Sequence, residues 1–120
     1  MFLDDAQLPL YEIKANLFKA LAHPARIRAL EILVDSPGQK ATVAQLLMAM
    51  DIEASHLSQH LRVLRRHGVV TSQRRASHVD YTLAHPGVAE LLAIARQFLH
   101  DRTVAGSGTG NMAHATAVGR

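Results

Sequence analysis

The chain has 120 residues, 48% apolar and 19% charged, with no cysteine and a formal net charge of +3. This is the composition of a globular protein rather than a disordered one, and the length suits one domain. The lack of cysteine excludes disulfides, thiolate metal sites, thiol redox sensing and cysteine nucleophiles together.

The opening residues Met1-Phe2-Leu3-Asp4-Asp5 carry acid where a secretory signal needs base, and no apolar core follows. No apolar run reaches the roughly 20 residues that span a bilayer. The expectation is a soluble, cytoplasmic protein with no membrane partner.

Residues 1–9 read as a flexible N-terminal arm. From Leu10 to His23, Leu10, Ile13, Leu17 and Leu21 recur at steps of three and four, with Phe18 beside them. That is one face of an amphipathic helix. His23-Pro24 ends it, because a residue before proline is pushed out of the helical region. Pro24 then suits the first turn of a second helix carrying Ile27, Leu30, Leu33 and Val34, closed by Ser36-Pro37-Gly38.

Thr42-Val43-Ala44-Gln45 has the hydroxyl and amide spacing of a capping box, opening a short helix through Leu46, Leu47 and Met50. Asp51 suits a left-handed turn. A fourth helix is predicted from Ala54 or Ser55 to His67, stopped by Gly68. The period then changes to alternation. Val70 to Arg74 and His78 to Leu83 read as two strands joined at Arg75-Ala76-Ser77, with Val79, Tyr81 and Leu83 on the packed face. His85-Pro86-Gly87 breaks the second strand, and a last helix carries Val88, Leu91, Leu92, Ala95, Phe98 and Leu99. Residues 104–120 are rich in Gly, Ala, Ser and Thr and read as a disordered tail. Residues 10–103 are the predicted folded domain.

Helix, tight turn, helix and hairpin in this order describe a winged helix-turn-helix: mainly α, α-α-α-α-β-β-α, with a two-stranded wing. At about 100° per residue, Leu57, Leu61 and Leu64 share one side of the fourth helix. Ser55, Gln59, Arg62 and Arg66 share the other, with His56 at one margin. Arginine can hold phosphates or guanine acceptors, glutamine can pair with adenine, and Ser55 and Ser58 can bond a phosphate at the helix start. Between Ser55 and Val79 there are five arginines, Arg62, Arg65, Arg66, Arg74 and Arg75, and no Asp or Glu. The rest of the chain balances to −2. A solvated face usually mixes signs, so this segregation points to double-stranded DNA. The predicted DNA-binding set is Ser55, His56, Ser58, Gln59, His60, Arg62, Arg65, Arg66, Arg74 and Arg75.

Leu17-Phe18-Lys19-Ala20-Leu21-Ala22-His23-Pro24-Ala25-Arg26-Ile27-Arg28, the run from Ser55 to Val70, and the strand Val79-Asp80-Tyr81-Thr82-Leu83 together resemble the ArsR/SmtB family of bacterial winged-helix repressors. The resemblance implies a homodimer paired through the first and last helices, with Leu10, Leu17, Leu91, Leu92, Ala95, Phe98 and Leu99 at the interface. It also implies repression from an inverted-repeat operator, released by an inducer. One departure is Ala76-Ser77, where such wings often carry glycine.

Many family members sense metals. The third helix opens with Ala41-Thr42-Val43-Ala44, so the family's thiolate site is absent. Its other site, between the last helices, falls here on His85, Gly87, Phe98 and Asp101, of which two can ligate. No complete family site exists. His85, His100 and Asp101, with His114 beyond them, remain candidates for a differently built nickel or zinc site, so a metal-responsive regulator is a second reading. His56 and His60 have chelating spacing but lie on the DNA-reading helix and lack the glutamate of a metalloprotease motif. An enzyme is therefore not expected. A third reading is an interaction module acting with a co-regulator protein, although docking on protein does not require an acid-free cationic segment.

Overall fold

The computed structural model describes residues 8–106. The predictions of an arm, of a tail and of His114 fall largely or wholly outside them. The chain divides into two compact units at His85–Pro86.

The first unit begins with α1, Leu10–Leu21, which buries Ala20 and Leu21 at its end. His23 caps the next helix, its Nδ1 accepting from the Ala25 N–H at 3.0 Å. Pro24, which has no N–H to leave unpaired, opens α2, Pro24–Asp35. A single 3-10 turn over Pro37–Gln39 follows, with Gly38 at φ +66° and Gln39 at +55°. The capping box is present: Gln45 N–H donates to Thr42 Oγ1 at 3.0 Å, and Thr42 N–H to Gln45 Oε1 at 2.8 Å. It starts α3, Val43–Ala49. Asp51 is not among the left-handed residues, and the chain leaves α3 through the extended backbone of Met50.

Helix α4, Ala54–Arg66, ends as its glycine predicts. Gly68 sits at φ +73°, its N–H bonded to Arg65 O, while Val69 N–H reaches Leu64 O. This double closure satisfies carbonyls the helix leaves free and turns the chain into the hairpin. The core is drawn from α2, α3, α4 and the hairpin: Leu30, Leu33, Leu46, Leu57, Leu61, Leu64 and Val70 are all under 2% exposed. Burying each such side chain contributes about 2 kcal/mol.

The wing differs from its prediction in two ways. Its strands are β2, Val70–Arg75, and β3, His78–Leu83, so the loop is Ala76-Ser77 alone and Arg75 pairs with His78. A short strand β1, Lys40–Thr42, also pairs antiparallel with β3, giving the sheet order β1-β3-β2. The second hairpin strand is thus central in a three-stranded sheet. Val79, Tyr81 and Leu83 alternate with His78, Asp80 and Thr82, as expected, and Leu83 is buried opposite Val70. Asp80, on the opposite face, is also buried.

Ala76 takes φ +52° in the two-residue loop. An L-residue is strained there and glycine is not, although glycine has more unfolded-state entropy to lose. Ala76→Gly is therefore expected to stabilise the fold by about 0.5–1 kcal/mol, read as a higher midpoint in thermal unfolding.

The second unit contains α5, Pro86–Ala105, about 30 Å long at 1.5 Å per residue. It includes Val104 and Ala105, so the predicted tail boundary moves past them. None of its residues is buried, and Ile94 and Phe98 are 66% and 63% exposed.

Candidate nucleic-acid interface

Helix α4 has two chemically opposite sides. Leu57, Leu61 and Leu64 are 0%, 1% and 0% exposed, which fixes its rotation against the core. Ser55, His56, Ser58, Gln59, Arg62, Arg65 and Arg66 are consequently exposed, as are Arg74 and Arg75 on the wing. Val63, next to Arg62 on the same helix, is half-buried.

Three residues of the predicted DNA-binding set have further partners. Arg65 Nη1 donates to Ser72 Oγ at 3.1 Å, tying α4 to β2. Arg75 is paired with Asp80, the first acid beyond the acid-free segment. The hydrogen bond from Arg75 holds the Asp80 carboxyl below the usual carboxylate range against the opposing effect of burial, and Asp80 raises the Arg75 guanidinium in turn.

His60 departs from the prediction. It is half-buried and turned toward α2, where its Nδ1 accepts from Arg26 Nε at 3.2 Å. Its ring lies 4.2 Å from that of His23, and Arg26 also donates to Ala20 O at 3.1 Å. The physical reason is angular: one residue before Leu61 and three after Leu57, His60 falls beside the buried stripe rather than opposite it. His60 is thus a brace between α4 and the α1–α2 junction.

Burial pushes the His60 pKa below its ordinary value, and His23, Arg26 and His56 push it further the same way. A base whose folded pKa is depressed contributes stability that is present above the unfolded value of about 6.5 and is lost as pH falls from there through the lower folded value. Thermal midpoints are accordingly expected to drop as pH falls below about 7, and His60→Asn to flatten that slope.

Among the described residues no three His, Cys, Asp or Glu side chains form a metal-binding group. Of the candidates His85, His100 and Asp101, Asp101 accepts at Oδ1 from Gln97 Nε2 at 2.8 Å within α5. Position along the chain selects those three, and it carries no information on whether their side chains converge. Among the same residues no helix is long and apolar enough to cross a membrane.

A helix-turn-helix domain family matches residues 21–73. The HTH-type transcriptional regulator Rv0081 of Mycobacterium tuberculosis is 51% identical over 92 residues, 76% of this chain and 78% of that one. Its crystal structure matches with a TM-score of 0.73 and 47% identity, covering 85% of this chain and 99% of that chain. The transcriptional repressor SmtB homolog of Synechocystis is 36% identical over 91 residues, 76% of this chain and 63% of its own.

This chain belongs to the ArsR/SmtB family. It is a DNA-binding transcriptional regulator with a winged helix-turn-helix fold. The solution structure of Mb0332 from Mycobacterium bovis, named a homodimeric winged helix-turn-helix DNA-binding domain and a possible ArsR-family regulator, matches with a TM-score of 0.66 and 27% identity over 77% of this chain and 82% of that one. Within the regulator, the features that sequence reading misses are Asp80 and Arg26. The diagonal spacing of Arg75 and Asp80 across a two-residue loop is the available signal for the first.

Proposed function

We propose that the regulator is a cytoplasmic, non-enzymatic homodimeric repressor that binds an inverted-repeat operator. Helix α4 of each protomer enters a major groove, with Gln59, Arg62 and Arg66 at base edges and phosphates. Ser55, His56, Ser58 and the Arg74 and Arg75 side chains contact the flanking backbone, while Arg65 adds charge beside them. The observation that carries this reading is the opposition on α4 of three buried leucines and an exposed Gln59, Arg62 and Arg66. Support for dimerisation comes from α5, which buries none of its residues, and from the homodimeric Mb0332. The repressor assignment follows the SmtB homolog.

Selection of bound duplexes from a random pool tests the proposal. The expected product is an inverted repeat with half-sites about one helical turn apart, bound with an affinity that falls steeply with salt. Selection of a single unrepeated site, or binding indifferent to salt, would overturn it.

A further inference from the structure

We propose that Asp80 is a positioning residue for DNA, a buried carboxylate that holds Arg75 so that its outer nitrogens face a phosphate. The proposal rests on the reading of Arg75 as a DNA contact. Asp80 lies on the central strand and is 4% exposed, the one buried charged residue among those described. Burying a carboxylate is costly and is sustained only by a partner. A wing that needed positive charge alone would do without it.

The register explains the pairing. Arg75 stands opposite His78 and Asp80 opposite Gln73, so Arg75 and Asp80 are diagonal neighbours on one face, within reach of a long side chain. The contact is made through Nε, the inner nitrogen of the guanidinium. Among the described residues Nη1 and Nη2 make no hydrogen bond, and the Arg75 side chain stays 58% exposed. A pocket of about 420 Å³, lined by Lys40, Thr42, Gln45, Arg75 and Asp80 among others, adjoins the pair. Packing therefore does not confine the guanidinium, whereas the carboxylate does. An arginine already held loses less rotamer freedom when it meets a phosphate.

Charge counting makes the opposite forecast, since deleting a carboxylate from a DNA-facing surface should tighten binding to a polyanion. The two are separated by anisotropy titrations of a mixed-sequence duplex at low salt with wild type, R75A, D80A, D80N and the doubles R75A/D80A and R75A/D80N. R75A is expected to weaken binding about tenfold and to make the salt dependence shallower by about one counterion per protomer. D80A should weaken it by about threefold or more despite the gain in net charge. D80N carries the same charge as D80A but keeps a carbonyl that accepts from Nε, so it should bind more tightly than D80A. In the R75A background the D80A and D80N difference should vanish.

If R75A weakens binding while D80A matches or exceeds wild type, the positioning role is wrong and the Arg75 contact stands. The positioning role also fails if the D80A and D80N difference persists without Arg75, because the carboxylate would then serve only the fold. An R75A protein that binds as wild type does removes the contact itself.

Discussion

Arg62→Ala combined with Arg66→Ala is expected to weaken operator binding by about a hundredfold or more, leaving the fold intact. Each bidentate arginine–guanine contact is worth about 1–3 kcal/mol of discrimination, and a dimer presents every such contact twice. Both side chains are exposed on α4, opposite the three leucines that anchor it. Neither forms an ion pair among the described residues, so truncation strands no partner. Surface changes of this kind usually move stability by no more than about 0.5 kcal/mol. Fluorescence anisotropy at fixed salt, with a thermal melt beside it, reads both quantities. Single variants should fall between wild type and the double, and the affinity loss should be larger on the selected operator than on mixed-sequence DNA. Operator affinity within about twofold of wild type, given an unchanged melt, would mean that another surface reads the sequence.

Phe98→Glu should convert the protein to a monomer and weaken operator binding by two orders of magnitude or more. Helix α5 has no buried residue along its 20 positions, and Phe98 is 63% exposed while Leu91, Leu92 and Leu99 are half-buried. On α1, Leu10 and Phe18 are 64% and 53% exposed. Large exposed apolar surface commonly serves as a protein interface, and a carboxylate placed within one would be left desolvated and unpaired. A monomer also loses the coupling between half-sites, which typically multiplies affinity by about 10²–10⁴. Sedimentation velocity at micromolar protein reports the first effect and anisotropy the second. A Phe98→Glu protein that sediments as a dimer would place the interface elsewhere.

Much of the site is legible in the residues alone. The spacing of Leu57, Leu61 and Leu64 sets which way α4 faces, because a helix can bury only one stripe and the polar residues must take the other side. The same holds for the capping box at Thr42 and Gln45 and for Gly68, whose local geometry is closed by neighbours within a few residues. His60 escapes the periodicity for a related reason. It sits near the boundary of the stripe, where about 100° per residue does not decide between surface and interior, and its inward turn depends on Arg26 and His23 from outside α4.

Local order in the chain dictated the succession of helices, the hairpin and the confinement of excess charge to one segment, since periodicity, caps and composition act over a few residues. Long-range contact decided the rest. Strand β1 has three residues and no pattern of its own, and it exists only because β3 offers an edge to pair with. That pairing makes β3 central, sinks Asp80, and turns Arg75 from a free cation into a held one. The three-residue segment gains its hydrogen bonds from a partner beyond two intervening helices, and no short window along the chain contains both.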